Sequence, residues 1–282
     1  MKKWNLVVDV ATCENCNNCT LSTKDEHVGN EFPGYAASQP QHGHQWIKIE
    51  RKVRGSSTMV DAAYCVTTCN QCDNAPCIKA AGNDGSMYKR DDGIVIIDPE
   101  KAKGRKDLVD SCPYGAIWWN EEKNIPQKWI FDAHLLDQDW TKPRCVQSCP
   151  TGSLQSLCVT DSEMKEIAER DKLEVLHPGL NTKPRVYYRN LYRFTECFVG
   201  GTVLAGIEGV TECVAGAEVM LSQDEKVLQT NSTDEFGDFK FDQLKPDSGE
   251  YELSVRHQQF GSALTKVMLK NESVYIGSLT IQ

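Results

Sequence analysis

The sequence predicts an α+β chain in two parts, a cysteine-rich part followed by an all-β C-terminal part. Three observations lead to this prediction. Most of the 13 cysteines lie before residue 160, and several of them form closely spaced runs. A short apolar stretch at residues 5–10 reads as a strand before the first run, and residues 94–98 repeat this strand-then-loop layout. After Thr195 no helical periodicity is left, and short alternating apolar stretches indicate β-strands.

The composition excludes several classes of protein. Of the 282 residues, 40% are hydrophobic, which is enough to form a sizeable core. The chain has 31 basic and 40 acidic residues, so its net charge of −9 argues against nucleic-acid binding. No apolar stretch approaches the roughly 18 residues that span a bilayer, and the N-terminus lacks a signal-peptide pattern. We therefore expect a cytoplasmic protein with reduced thiols, unless it is exported with a partner that bears the signal.

The spacing of the cysteines predicts metal binding. Two triplets and two Cys-Pro pairs stand out: Cys13, Cys16 and Cys19; Cys69, Cys72 and Cys77; Cys112-Pro113; and Cys149-Pro150. A closely spaced triplet lets one loop hold three corners of a cubane, while a distant Cys-Pro supplies the fourth ligand. Thiolates favour iron–sulfur clusters or zinc, and the run C-x2-C-x2-C is not a zinc spacing. The prediction is therefore iron–sulfur clusters, with structural zinc as the alternative.

These motifs resemble the iron–sulfur subunits of molybdopterin enzymes of the dimethyl sulfoxide reductase family. Further segments resemble the branch of that family that contains pyrogallol–phloroglucinol transhydroxylase: Glu31–Ser38, His42–Gly55, Tyr88–Gly115, Ala133–Asp137 and Thr182–Phe194. The resemblance covers essentially the whole chain. It implies two ferredoxin-like halves with four [4Fe-4S] sites, in which the first cysteine run pairs with the fourth and the second with the third.

The resemblance assigns the ligands of two complete sites. Site A consists of Cys13, Cys16, Cys19 and Cys149, and site B consists of Cys69, Cys72, Cys77 and Cys112. The other two family sites lack ligands. In one of them, the four ligand positions of the family are occupied by Thr23, Trp129, Asp132 and Cys145. In the other, they are occupied by Ala81, Ala102, Arg105 and Leu108. Because only one thiol remains in the first of these and none in the second, we expect two [4Fe-4S] clusters.

The same resemblance implies a function. It predicts an iron–sulfur electron-transfer and structural subunit of a bis-molybdopterin enzyme that hydroxylates or transhydroxylates polyhydroxylated aromatic compounds. The chain has no GxGxxG, P-loop, nucleophile elbow or HExxH motif, so the active site and the molybdopterin are expected on a larger partner chain. An external electron carrier is a further possible partner. The alternative is a free ferredoxin-like electron carrier with a β-sandwich interaction domain.

Two features of the cysteine-rich part have competing interpretations. The loop of the empty third run contains Lys101, Lys103, Arg105 and Lys106. Cations close to a cluster would raise its reduction potential, but an ordinary solvated basic loop is the alternative. In addition, one or both clusters could be mainly structural, because cluster binding contributes folding energy.

The domain boundaries follow from the change in composition. We expect a duplicated ferredoxin-like domain at 1–182, an arm rich in tyrosine and arginine at 183–196, and a sandwich or barrel of roughly seven strands at 197–282. The third part resembles a transthyretin-like or immunoglobulin-like module. The arm is interpreted as a docking surface or as a segment packed on its own half, and the two interpretations are compatible. A helix is expected over Ser162–Lys172, with Ser162 as its N-cap.

Overall fold

The computed structural model describes residues 1–282, with residue 207 described by its backbone alone. Short helices and many strands confirm the α+β class. The helices are α1 (Asn18–His27), α2 (Pro76–Ala81), α3 (Ala133–Leu136), α4 (Arg144–Gln147), α5 (Asp161–Arg170) and α6 (Tyr192–Thr195). Of the helices described, none is long and apolar enough to cross a bilayer. The chain divides into an N-terminal unit (Met1–Glu50 and Tyr64–Leu191) and a C-terminal unit (Arg51–Ala63 and Tyr192–Gln282).

The strands before residue 190 form small sheets. They are β1 (Lys3–Asp9), β2 (Ile47–Ser56), β3 (Met59–Thr68), β4 (Met87–Lys89), β5 (Val95–Ile97), β6 (Trp118–Asn120), β7 (Ile125–Gln127), β8 (Leu154–Val159) and β9 (Val186–Arg189). β1 is the central strand of a three-stranded sheet, antiparallel to β8 and parallel to β9. The others pair as β2–β3, β4–β5 and β6–β7. The strands predicted around 5–10 and 94–98 are thus present.

The beginning of the arm packs on the N-terminal unit. β9 pairs with β1, and the fully buried Tyr188 donates its hydroxyl hydrogen bond to the carbonyl of Val66 over 3.1 Å. The guanidinium of Arg185 is also buried and donates to Asp73 over 2.6 Å and to Asp161 over 2.8 Å. These contacts show that the first part of the arm packs on the N-terminal unit, while its role as a docking surface stays a prediction.

Helix α5 begins one residue earlier than expected, and its cap is Thr160 rather than Ser162. The Thr160 hydroxyl oxygen accepts from the Glu163 amide over 3.3 Å, while the Glu163 carboxylate accepts from the Thr160 amide over 2.8 Å. This reciprocal capping box satisfies two amide groups at once. The predicted cap at Ser162 is therefore wrong, because the box requires a glutamate three residues after the cap.

The C-terminal unit contains two four-stranded sheets. Its strands are β10 (Cys197–Ile207), β11 (Val210–Cys213), β12 (Glu218–Gln223), β13 (Lys226–Ser232), β14 (Asp238–Leu244), β15 (Gly249–His257), β16 (Gly261–Leu269) and β17 (Val274–Ile281). One sheet has the order β11-β10-β14 with β17 also paired to β10, and the other has the order β13-β12-β15-β16. Alternate residues of β14 and β15, such as Phe239, Phe241, Leu253 and Val255, point into a shared apolar core.

The described part of this unit thus has eight strands in its two sheets, where roughly seven were expected. The sequence did not reveal β10, because glycines weaken its strand pattern. Two of them permit close packing. A Cβ at Gly200 would collide with the sulfur of Met59, and one at Gly201 would lie 2.6 Å from Cγ1 of Ile276. Because β10 and β17 are parallel, this sheet is mixed rather than antiparallel.

The capping box of α5 gives a stability prediction. Replacing Thr160 by alanine removes the hydroxyl acceptor of the Glu163 amide, so Thr160→Ala should lower the free energy of unfolding by about 1 kcal/mol. Denaturant unfolding of the whole chain measures this, with Thr160→Ser as the control that keeps the hydroxyl. Equal stability of the alanine variant and the wild type would show that the box does not stabilise the helix.

Candidate metal centres

Site A begins directly after β1. Two asparagines of this loop, Asn15 (φ 56°) and Asn17 (φ 61°), have left-handed backbone conformations, which asparagine tolerates better than most residues. The side-chain amide of Asn17 donates to the carbonyl of Asn15 over 2.9 Å. These turns fold the loop back so that Cys13 and Cys16 precede α1, and Cys19 lies in the first turn of that helix.

Hydrogen bonds bring the fourth ligand of site A to this loop. The amide of Asp9 at the end of β1 donates to the carbonyl of Ser153, and the hydroxyl oxygens of Ser22 and Ser148 lie 2.9 Å apart. Cys149 is placed between these two connections. Burial raises the pKa of Cys13, and the nearby thiols of Cys149 and Cys16 add to the effect. The structure therefore brings the predicted ligands of site A together.

The Cys149 thiol has a different electrostatic environment from the other thiols of site A. Burial raises the pKa of Cys19 to about 11. Burial alone would also raise the pKa of Cys149, but hydrogen bonds from the Ser153 hydroxyl and the Leu154 amide lower it. The Ser153 hydroxyl lies 3.2 Å from the Cys149 sulfur. The loop after α4 thus favours a thiolate at this position.

Site B is a small cavity between the second cysteine run and the Cys112-Pro113 turn. Its walls contain all four predicted thiols, several apolar side chains and one lysine. The lining residues are Cys69, Asn70, Cys72, Ala75, Pro76, Cys77, Val95, Cys112, Pro113, Tyr114, Ile117 and Lys128. Four thiols around a mostly apolar cavity are the donor set that an iron–sulfur cubane requires.

The packed arm holds the cysteine loop of site B in place. The amide of Arg185 donates to the carbonyl of Asn70 over 2.8 Å, and the amide of Asp73 donates to the carbonyl of Lys183 over 2.9 Å. The hydroxyls of Tyr114 and Thr182 lie 2.6 Å apart and connect the Cys112-Pro113 turn to the same segment. The arm thereby fixes the separation of two chain segments that supply ligands.

Burial disfavours the charged form of the thiols of site B. It raises the pKa of Cys72 to about 12 and that of Cys77 to about 11, and the neighbouring Cys69 thiol adds to both shifts. Metal binding requires thiolates, so only a bound group that supplies positive charge would keep these thiols ionised at neutral pH.

Among the described side chains, no three of His, Cys, Asp or Glu converge closely enough to hold a single metal ion. A cubane spreads its sulfur ligands more widely than one zinc ion does.

A polar network fills the first incomplete family site. Asp132 is fully buried and accepts from the Trp129 indole over 3.3 Å and from the Arg144 amide over 2.8 Å. The other side of the network is His27, whose Nε2 lies 3.1 Å from the same carboxylate. Burial alone would raise the pKa of Asp132, but the His27 hydrogen bond lowers it. Both carboxylate oxygens therefore have partners within the protein.

The two remaining positions of this site are also buried. The Thr23 hydroxyl donates to the carbonyl of Cys19 over 2.9 Å. Burial raises the pKa of the Cys145 thiol well above its usual value, and the neighbouring carboxylate of Asp132 adds to this effect. The polar network therefore occupies the place where the family resemblance puts a cluster.

Apolar packing fills the second incomplete site. Ala81, Ala102 and Leu108 are buried in one cluster with apolar residues that include Ile97 and Ile117. Arg105 is excluded from this cluster and forms ion pairs with Asp84 and Asp107. No ligand chemistry is available at these positions.

The basic loop around Arg105 agrees with the interpretation of a solvated surface. Lys103 lies 2.8 Å from the Glu100 carboxylate, and Lys106 lies 3.2 Å from that of Glu121. All four side chains are largely exposed. Because carboxylates neutralise these cations and water screens them, they have little influence on the potential of a cluster.

The sequence did not predict that two further residues, Lys128 and Gln71, belong to site B. Lys128 is a buried cation at the cavity wall, and Gln71 lies between two ligands with a left-handed backbone (φ 49°). A lysine inside the apolar stretch Ile125–Phe131 was the available signal, since lysine is rarely buried without a specific partner. Gln71 gave no signal, because its hydrogen bonds depend on segments distant in sequence.

Comparison with known proteins supports the iron–sulfur assignment. Residues 60–158 match a family model described as a 4Fe-4S dicluster domain. The chain is 45% identical to the pyrogallol hydroxytransferase small subunit of Pelobacter acidigallici, over 100% of both chains. It is 29% identical to a tetrathionate reductase subunit of Salmonella typhimurium, over 67% of this chain and 73% of that one. It is 24% identical to the arsenate respiratory reductase iron–sulfur subunit of a Shewanella strain, over 66% and 95%.

These matches confirm the resemblance found in the motifs. The 45% identity extends over the complete length, so it includes the C-terminal unit as well as the cysteine runs. The shorter matches to other reductase subunits cover about two thirds of the chain. The chain therefore belongs to the family of iron–sulfur small subunits that includes the pyrogallol hydroxytransferase small subunit.

Proposed function

We propose that this chain is the electron-transfer and structural subunit of a molybdopterin enzyme, and that it binds two [4Fe-4S] clusters in two ferredoxin-like halves. Site A and site B hold one cluster each. The single observation that supports this most strongly is the convergence of two complete sets of four thiols, each assembled from segments far apart in sequence. Bound clusters would accept and pass on single electrons, which none of the side chains at these sites can do unaided.

The number of clusters follows from what fills the other two family sites. Around Asp132, hydrogen bonds from the side chains of His27 and Trp129 and the backbone amide of Arg144 use the carboxylate that would otherwise be a possible ligand. Around Leu108, an apolar core provides no ligand. A third cluster would require the first network to break and a tryptophan to leave a fully buried position. Two clusters are thus the arrangement that the described packing supports.

The protein around each site provides the thiols, excludes water and changes the local charge. At site B, apolar residues such as Val95 and Ile117 form the wall of the cavity. At site A, the Ser153 hydroxyl and the Leu154 amide lower the pKa of the Cys149 thiol. Hydrogen bonds to cluster sulfurs and their exposure to solvent are both known to set the reduction potential.

The substrate class and the partner follow from the full-length relative, which is named as the small subunit of a hydroxytransferase acting on pyrogallol. We infer that this chain assembles with a larger molybdopterin-containing subunit that hydroxylates or transhydroxylates polyhydroxylated aromatic compounds. A net transhydroxylation needs no external electrons, whereas a net hydroxylation must export two electrons in each turnover. The relay would therefore connect to an external carrier only in the second case.

Iron analysis and electron paramagnetic resonance test the proposed number of clusters. The anaerobically purified chain should contain about eight irons and about eight inorganic sulfides, and reduction should produce two [4Fe-4S] signals. About twelve irons would contradict the assignment. Clusters that cannot be reduced at any accessible potential would eliminate the electron-transfer role and leave a structural one.

A pair of variants tests whether Asp132 is a ligand. In Asp132→Asn, the amide nitrogen would face a donor from Trp129 or Arg144, so the free energy of unfolding should fall by about 1–3 kcal/mol. The iron content should stay at the wild-type value. The matched variant Cys77→Ala should lose about four irons. If Asp132→Asn loses a similar amount of iron, the carboxylate is a cluster ligand and the assignment of the network is wrong.

Co-purification tests the proposed partner. An affinity tag on this chain, expressed in its own host, should retain a larger subunit that contains molybdenum in about equimolar amount. Gel filtration and metal analysis of the eluted material measure this. A stable iron-containing monomer without molybdenum would instead favour the free electron carrier.

A further inference from the structure

Lys128 is a cation buried at the wall of site B. It follows β7 directly, and only 1% of its surface is exposed. Its ammonium group donates to the carbonyl of Val95 and, over 3.1 Å, to the carbonyl of Trp129. An ammonium has three donors, so one is left beyond these two bonds. Lys128 also lines the cavity of the four thiols.

This lysine differs from the other lysines near the site in its charge balance. Lys89 is partly exposed and lies 2.9 Å from the Asp73 carboxylate, which neutralises it. Among the described side chains, Lys128 has no such carboxylate partner, and its two acceptors are neutral carbonyls. A buried cation is costly without an anion nearby. The anions that can compensate for it are the thiolates of site B. Burial raises the pKa of Cys77 and of Cys112, and the nearby positive charge of Lys128 partly opposes this rise at both thiols.

We propose that Lys128 is the buried counter-cation of the cluster at site B and raises its reduction potential. The inference rests on the proposed function, since it requires a cluster at this site. A [4Fe-4S] cluster with four thiolates has a net negative charge, and reduction adds another. A fixed positive charge in a low-dielectric environment stabilises the reduced form more than the oxidised form. Exposed lysines have a much weaker effect, because water and salt screen them.

Gln71 allows the electrostatic role to be separated from a purely structural one. Its side-chain amide donates to the carbonyl of Trp129 over 3.1 Å and accepts from the amide of Val95 over 2.8 Å. Gln71 therefore links the same two residues as Lys128, but without a charge. If Lys128 acted only by connecting these segments, loss of the Gln71 side-chain bonds would have a comparable effect on the cluster.

Redox titration of the whole chain tests the proposal, with the site B signal identified as the one missing in Cys77→Ala. At the wild-type midpoint potential, Lys128→Met should lower the ratio of reduced to oxidised cluster about tenfold, which equals about 59 mV for a one-electron couple. Lys128→Arg, which keeps the charge, should stay close to the wild type. The controls Gln71→Met and Lys79→Met, the second at an exposed lysine of α2, should shift the potential far less.

An unchanged midpoint in Lys128→Met, or an equal shift in Gln71→Met, would overturn the proposal. If Lys128→Met fails to retain iron at site B, Lys128→Gln provides a second neutral variant. Loss of this iron in both neutral variants, with retention in Lys128→Arg, supports the counter-cation role, whereas loss in all three overturns it. Failure of the proposed function is distinguishable, because it would appear as absent or irreducible clusters in the wild type. If the wild-type clusters are present but cannot be reduced, iron retention in the Lys128 variants tests whether Lys128 is the counter-cation.

Discussion

The structure of the N-terminal unit depends on one constraint, the need to hold four sulfur ligands as thiolates in a place where burial favours neutral thiols. Burial raises the pKa of most of these cysteines, to about 12 at Cys72. Several local features act in the opposite direction. The Ser153 hydroxyl and the Leu154 amide favour the thiolate of Cys149, and Lys128 favours those of Cys77 and Cys112. Iron bound at these cysteines would favour the thiolates further, and cluster assembly would then be coupled to folding of the cysteine loops.

The two incomplete family sites are filled by different means. One contains an apolar core around Ala102 and Leu108, which simply continues the packing behind α2. The other contains the Asp132 network, and this network reaches towards segments of both site A and site B. The carbonyl of Trp129 accepts from Gln71 in the loop of site B, while the buried Cys145 lies near Asp132 and Cys19 of site A. A hydrogen-bonded network thus fills the position of this family site and connects segments of site A and site B.

Much of this architecture could be predicted from the sequence, because its information is local. The spacing of the cysteines identifies the two triplets, and the family resemblance assigns a fourth ligand to each. Alternating apolar residues identify most strands of the C-terminal unit. The failures have physical causes. Strand β10 is rich in glycine, so its pattern is weak although its pairing is extensive. The roles of Lys128 and Gln71 depend on carbonyls and amides that only folding brings close. The same holds for His27, whose partner Asp132 is distant in sequence.

We propose that two complete thiol sets bind iron while a protein network occupies the site around Asp132. Anomalous diffraction at the iron absorption edge, from crystals of the anaerobic complex, tests this most directly. We expect two compact groups of iron atoms, one within reach of Cys13, Cys16, Cys19 and Cys149 and one within reach of Cys69, Cys72, Cys77 and Cys112. A third group beside Asp132 and Cys145, or the absence of iron at either thiol set, would contradict it.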